Sequence, residues 1–242
     1  MLELRKAEDR GSADHGWLDT RHSFSFADYY DPEQVGFSDL LVINDDRVKP
    51  LRGFDTHPHQ NMEIFSYVIA GQLEHRDSMG TGSVNGVGDI QMMSAGTGIR
   101  HSEYNHSDRE ALRFLQIWIV PDKKNVTPRY HQRHFPEAEK RGRLRLVIAP
   151  DEKDGALPVY QDVRVYAGLF DGGEAATLEL GPDRHAYVQT ARGEISVNGQ
   201  KLKEGDGMRV RKESKLAFDN GKDAEILVFN LRPREIPEIR RG

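Results

Sequence analysis

Three histidines and a glutamate carry the strongest chemical signal in this chain. His57-Pro58-His59 sets two imidazoles two residues apart, and His101-Ser102-Glu103 repeats the spacing with one imidazole and one carboxylate. On a β-strand successive side chains point to opposite faces, so the members of each pair share a face. If the two segments are neighbouring strands, four nitrogen and oxygen donors converge on one point. That set suits a divalent first-row metal and leaves positions for water, oxygen or substrate. A single H-x-H is more often a pair of surface or hydrogen-bonded histidines. The second pair, and the glycines around both, favour a metal site here. The chain has no cysteine, which excludes disulfides and thiolate ligands, so any metal must rest on histidine and carboxylate.

A second carboxylate competes for the same role. Glu63 lies four residues beyond His59, roughly 13 Å along an unbroken strand, and reaches the same ion only if residues 60–62 turn. Glu103 needs no such turn. Glu63 is therefore expected as an alternate ligand or as a partner for a ligand's second ring nitrogen, which metal-bound imidazoles usually require. Of the remaining histidines, His22 reads as a packed structural residue. His75 and His106 sit beside charges and read as solvated, and His131, His134 and His185 lack metal-like spacing. Phe24, Phe26, Tyr29 and Tyr30 read as core or inter-domain packing.

The elements that must position these residues are strands. Short β-rich runs bounded by Gly, Asn and Asp recur at residues 40–44, 63–69, 89–93, 114–120, 143–148, 186–190, 194–197 and 226–231. Such punctuation predicts an all-β sandwich or barrel. Residues 121–136, rich in Lys, Arg, His and Pro, read as the connection between two halves. The halves resemble each other: Gly71 and Gly88-Asp89 have counterparts in Gly193 and Gly205-Asp206, and Asn198-Gly199 predicts a tight hairpin. Counting from these glycines puts Phe218 where His101 stands, with Glu179 and Gly181 in place of His57 and His59. The second half should be a metal-free copy.

At 242 residues the chain can hold two domains of ordinary size, and its net charge of −5 argues against sequence-independent nucleic-acid binding. The one basic cluster, residues 232–241, is broken by Glu235 and Glu238 and reads as a solvated tail. With no apolar leader region or membrane-length run, the expectation is a cytoplasmic protein without membrane contact.

The order Gly53, His57, His59, Glu63, Gly71, followed by Gly88, Gly96, His101 and Asn105, resembles the two-part cupin motif. Its departures from the common pattern, such as Ser94 in place of a proline, resemble the pirin branch. So do residues 15–32, 56–71, 74–80 and 93–105, and the likeness is densest up to about residue 135. The resemblance implies two tandem cupin barrels, a metal-binding domain over residues 1–135 and a degenerate one over 136–242. It implies His57, His59, His101 and Glu103 as the ligand set, with iron(II) the expected ion and nickel, copper, manganese, cobalt or zinc as alternatives. It implies two functions: flavonol (quercetin) dioxygenase activity using O2, with Glu103 as catalytic base, or metal-dependent, redox-sensitive regulation through a protein partner. The acidic balance and the lack of a nuclear-localisation-like basic run favour the enzyme and no nucleic-acid partner.

Overall fold

A computed structural model describes residues 1–235, and among them no helix is long and apolar enough to cross a membrane. The chain forms two β-barrels. In the first, a seven-stranded sheet runs in the spatial order Arg129–His134, Asp89–Ser94, Glu63–Ala70, Leu112–Ile119, Leu40–Val48, Leu18–His22 and Gly11–Asp14. A four-stranded sheet faces it, ordered Gly53–His59, Ile99–Asn105, Leu73–Asp77 and Gly82–Asn85. The second barrel is a nine-stranded sheet built around the long strands His185–Val197 and Lys215–Leu231. The two-barrel, nearly all-β architecture agrees with the expected cupin pair.

Strand alternation explains how the barrels join. Along Glu63–Ala70, Phe65, Tyr67 and Ile69 face the second barrel, as do Leu115, Ile117 and Ile119 on the next strand. They form one buried cluster with Val147, Val165, Ala167, Tyr187, Leu227 and Phe229 of the second half. Each large apolar side chain so buried contributes about 1.5–3 kcal/mol, so the interface is a shared core. Covered on both faces, these strands read as almost continuous apolar runs. Polar ties reinforce the junction: Tyr67 donates to Glu225 at 2.5 Å, and Arg113 forks onto Asp45 at 2.9 and 3.0 Å while also bonding the Ala191 carbonyl.

The opposite faces differ between the barrels. The second barrel is filled with Leu178, Val188, Ile195, Met208, Leu216, Phe218, Ile226 and Val228. In the first, the inward positions Thr20, His22, Asn44, Asp46, Ser66, Gln91 and Gln116 are polar and buried. Repetition of the glycine punctuation is real: Gly71, Gly88, Gly193 and Gly205 all adopt positive φ, and Asn198-Gly199 turns the predicted hairpin with φ of 47° and 79°.

The structure departs from the sequence reading in four places. Residues 121–136 are not only a connection, because Arg129–His134 pairs with Asp89–Ser94 as an edge strand. Leu2–Arg5 joins the second barrel, antiparallel to Gly207–Val210, so residues 1–135 do not fold as one sheet system. The start of the basic tail is anchored, since Arg232 grips the buried Asp39 carboxylate at 2.7 and 2.8 Å, while residues 236–241 lie outside the described residues. Finally, Phe218 pairs with Ala176, and Glu179 pairs with Lys215. Glycine counting therefore misplaced Glu179 by three residues, although Phe218 still fills the barrel interior.

Candidate metal centre

His57 and His59 lie on Gly53–His59, and His101 and Glu103 on its antiparallel neighbour Ile99–Asn105. His101 sits directly opposite His57. Between His101 and Glu103 the register slips, so Glu103 faces Phe54. A bulge of this kind re-aims side chains at a site. Gly53 makes the approach feasible: a Cβ there would lie 2.2 Å from the Glu103 carbonyl oxygen. The chain does bend at residues 60–62, with Asn61 at φ 49°.

The structure brings the three imidazoles together. Their ring centroids are 4.6, 4.8 and 4.9 Å apart, and one nitrogen from each falls within 4.8 Å of the others. His57 Nε2 and His101 Nε2 are 3.1 Å apart. Two nitrogens bound to one ion at about 2.1 Å and at right angles would be separated by roughly 3.0 Å, so the pair fits a shared metal. His57 Nδ1 donates to the Asp55 carbonyl at 2.7 Å, which fixes the tautomer with Nε2 free for an ion. Burial, reinforced by the neighbouring imidazoles, lowers His59 to about 4 and His101 to about 3 from the usual 6.5. Both are neutral at physiological pH, the form that ligates.

Glu103 is 1% exposed and its carboxylate is held from two sides. Gln91 Nε2 and Ser66 Oγ approach Oε1 at 2.7 and 3.1 Å, and Gln116 Nε2 donates to Oε2 at 2.5 Å. Gln91 is steadied in turn by Asn85 at 2.8 Å and Tyr130 at 3.2 Å. A Glu103 oxygen also lies within 4.8 Å of His101 and His75 nitrogens. His75, expected in solvent, is fully buried: it stacks on Tyr130 and bonds Asp77 at 3.1 Å. Facing inward across from Glu103, it is shielded by the sheet from the water its charged neighbours suggested.

Glu63 lies elsewhere. Its Oε2 accepts from Ser94 Oγ at 2.8 Å and from the Tyr160 backbone N–H at 3.2 Å, tying the two barrels together. It bonds none of the three histidines and belongs to neither donor cluster, which removes it as alternate ligand and as imidazole partner. The turn that was to bring it to the ion instead sends it to the domain junction.

Beside the imidazoles opens a cavity of about 550 Å³, within the range of small-molecule sites. Trp17, Phe26, Tyr29, Phe54 and Trp118 line it, as do His57, His59 and Glu103. The Trp118 ring stands edge-on to His59 at 5.0 Å and to Phe26 at 5.5 Å. Phe26 and Tyr29 thus line a pocket, while Phe24 packs on Tyr187 across the junction and Tyr30 is exposed. His22 is buried and bonded to Asn44 at 2.7 Å, as a structural residue, and also borders the cavity.

Sequence reasoning did not single out Ser66, Gln91, Gln116 or Asp46. For three of them a signal was present, since each interrupts an apolar strand at an inward position: Phe65-Ser66-Tyr67, Ile90-Gln91-Met92 and Leu115-Gln116-Ile117. Asp46, in the polar run Asn44-Asp45-Asp46-Arg47, carries no such signal.

Comparison with known proteins accounts for both barrels. Residues 3–119 match the family described as Pirin, and residues 146–231 match the family described as quercetinase C-terminal cupin domain. The chain is 46% identical over 233 residues to a quercetin 2,3-dioxygenase of Escherichia coli K12, covering 96% of this chain and all of that one. It is 39% identical to a pirin-like protein of Caulobacter vibrioides, covering 95% and 99% of the two chains. The crystal structure of the bacterial pirin YhhW from Escherichia coli, in complex with nickel(II), superposes with a TM-score of 0.92 at 45% identity, covering 97% of this chain and all of that one. With both barrels matched and its histidine pairs brought together inside the first, this chain belongs to the pirin family of two-barrel cupins.

Proposed function

We propose that this protein is a metal-dependent flavonol dioxygenase, a quercetin 2,3-dioxygenase that opens the heterocyclic ring with O2 and releases carbon monoxide. The observation that carries the reading is the convergence of three imidazoles beside an aromatic-lined cavity. The names of the 46% identical Escherichia coli relative and of its similar counterparts point the same way. His57, His59, His101 and Glu103 would hold one divalent ion. We assign iron(II), and nickel, copper, manganese, cobalt or zinc would suit the same donors. When bound, the ion supplies Lewis acidity toward the flavonol 3-hydroxyl and a centre for oxygen chemistry.

The protein's own groups do the rest. An ionised carboxylate offers about four lone-pair sites, and Ser66, Gln91 and Gln116 occupy three on Glu103. When it is only weakly or transiently bound to the ion, Glu103 would use its one remaining site to take the 3-hydroxyl proton as general base. Trp17, Phe54 and Trp118 enclose the flat ring system and exclude water. The second barrel, filled with apolar side chains, acts as a metal-free support that closes the far face of the seven-stranded sheet opposite the strands carrying the histidines.

The test is to incubate metal-replete protein with quercetin in air, following loss of flavonol absorbance and release of carbon monoxide. Glu103→Gln should lose turnover far more than it loses metal, and His101→Ala should lose both. If no metal supports turnover above a metal-only control, the enzyme reading fails and metal-sensing regulation through a protein partner replaces it.

A further inference from the structure

Adjacent aspartates on Leu40–Val48 meet opposite fates. Asp45 faces the domain junction, where Arg113 holds it at 2.9 Å and Arg10 at 3.5 Å. Burial alone would lift its carboxyl, but these guanidinium groups hold it below the usual carboxylate range. The next residue on the pleat, Asp46, faces the cavity and is 3% exposed. No cation reaches it, because Arg10, Arg47 and Arg113 all turn to Asp45. Its cross-strand neighbour is Thr20, which lines the same cavity. Asp46 Oδ1 and Thr20 Oγ1 are both buried, and the Thr20 hydroxyl is the one side-chain group among the described residues close enough to steady the Asp46 carboxyl.

A buried carboxyl with no cation and a single neighbouring hydroxyl costs stability. Asp46 joins no ion pair of the fold, and a hydroxyl entering the cavity would offset that cost. The walls say what that is. Trp17, Phe26, Tyr29, Phe54 and Trp118 form an apolar slot for a flat ring system, and Asp46 and Thr20 offer it acceptor and donor capacity. We infer that Asp46, with Thr20, receives a ring hydroxyl of the aromatic substrate distinct from the hydroxyl that meets the metal centre, and so selects polyhydroxylated over sparsely hydroxylated ring systems. The inference rests on the flavonol reading above and adds the specificity group to it. A site built to hydrogen-bond a hydroxyl discriminates strongly against an analogue lacking it, because the buried polar group is then left unpaired.

The experiment measures binding to the full-length, metal-loaded protein by quenching of Trp17 and Trp118 fluorescence. The probes are quercetin and 3-hydroxyflavone, which keeps the 3-hydroxyl but lacks the other ring hydroxyls. Wild type should prefer quercetin by about tenfold or more, the value of one hydrogen bond to a carboxyl. Asp46→Leu should erase that preference while keeping affinity for 3-hydroxyflavone and full metal content. Asp46→Asn, which preserves shape and an acceptor, should keep part of it. Thermal midpoints at pH 8 supply a second readout: both variants should melt no lower than wild type, whereas loss of a purely structural residue would lower the midpoint. If Asp46→Leu fails to fold, Asp46→Asn decides by the same two measures. An unchanged quercetin preference in the variants, or none in wild type, overturns the assignment of Asp46 and leaves the flavonol reading standing. If wild type binds neither probe, the flavonol reading itself falls and takes this assignment with it.

Discussion

Replacing Gln116 by Met tests whether the polar lining of the first barrel serves the metal centre or only fills space. Gln116 is 9% exposed, donates to Glu103 Oε2 at 2.5 Å, and accepts from Ser66 Oγ at 3.0 Å. Methionine keeps the length and apolar stem but removes the donor. Glu103 Oε1 would retain Gln91 and Ser66, while Oε2 would lose its one donor within the protein. A hydrogen bond to a charged group contributes about 1.5–3 kcal/mol, so metal-free protein should lose about 2 kcal/mol in denaturant unfolding. Removing a residue that orients a metal ligand typically costs about 10–100-fold in affinity, or roughly 1.4–2.7 kcal/mol more. By linkage the metal-saturated protein should therefore lose roughly 3.5–4.5 kcal/mol. The assay pairs urea unfolding of both forms with a competition titration against a chromophoric chelator. Equal losses in the two forms, with unchanged metal affinity, would refute the claim that Gln116 holds a ligand carboxylate.

Three further outcomes are expected. His57→Ala combined with His59→Ala should abolish stoichiometric metal, since only His101 and Glu103 of the proposed set would remain; elemental analysis still showing one ion per chain would mean the site is misassigned. Gly53→Ala should weaken metal affinity by tenfold or more without touching a ligand, because its Cβ would meet the Glu103 carbonyl at 2.2 Å and force the two ligand strands apart; unchanged affinity in a chelator competition would count against that geometry. Burial lowers His59 to about 4 and His101 to about 3, so both are already deprotonated in the folded, metal-free state at pH 6 and should release no proton on metal binding there. Calorimetry in buffers of different ionisation enthalpy checks this. The same sign makes metal-free protein lose stability as pH falls from about 6.5 toward 4, since only the unfolded chain takes up these protons in that window.

The meeting of the two pairs, His57 with His59 and His101 with Glu103, on neighbouring strands was legible because strand periodicity is short and local: two residues two apart on one strand share a face whatever the rest of the chain does. Glu63 was misjudged because its direction depends on the turn at Asn61 and on Tyr160, nearly a hundred positions away. His75 was misjudged because neighbouring charges in sequence sit on opposite faces of a strand. The polar lining was visible as single polar residues inside apolar strands. Its purpose was not, since nothing local reveals that Ser66, Gln91 and Gln116 meet on one carboxylate. In the second half, residues 186–190 and 194–197 prove to be one strand, His185–Val197, and 226–231 is only the end of Lys215–Leu231, while the edge strands at Leu2–Arg5 and Arg129–His134 lack the apolar runs that betray central strands.

The pairing of Leu2–Arg5 with Gly207–Val210 bears on how the chain is made. Leu2–Arg5 leaves a ribosome about two hundred residues before its partner strand. At about 5–20 residues per second, roughly 10–40 s pass before that partner emerges. During that interval Leu2 and Leu4 have no sheet to join, and afterwards the edge at Gly207–Val210 stays open until the N-terminus returns to it. Closure of this seam thus waits on two segments about two hundred positions apart. A change that displaces Leu2–Arg5 would act on the second barrel, as an uncovered strand edge prone to pairing between molecules.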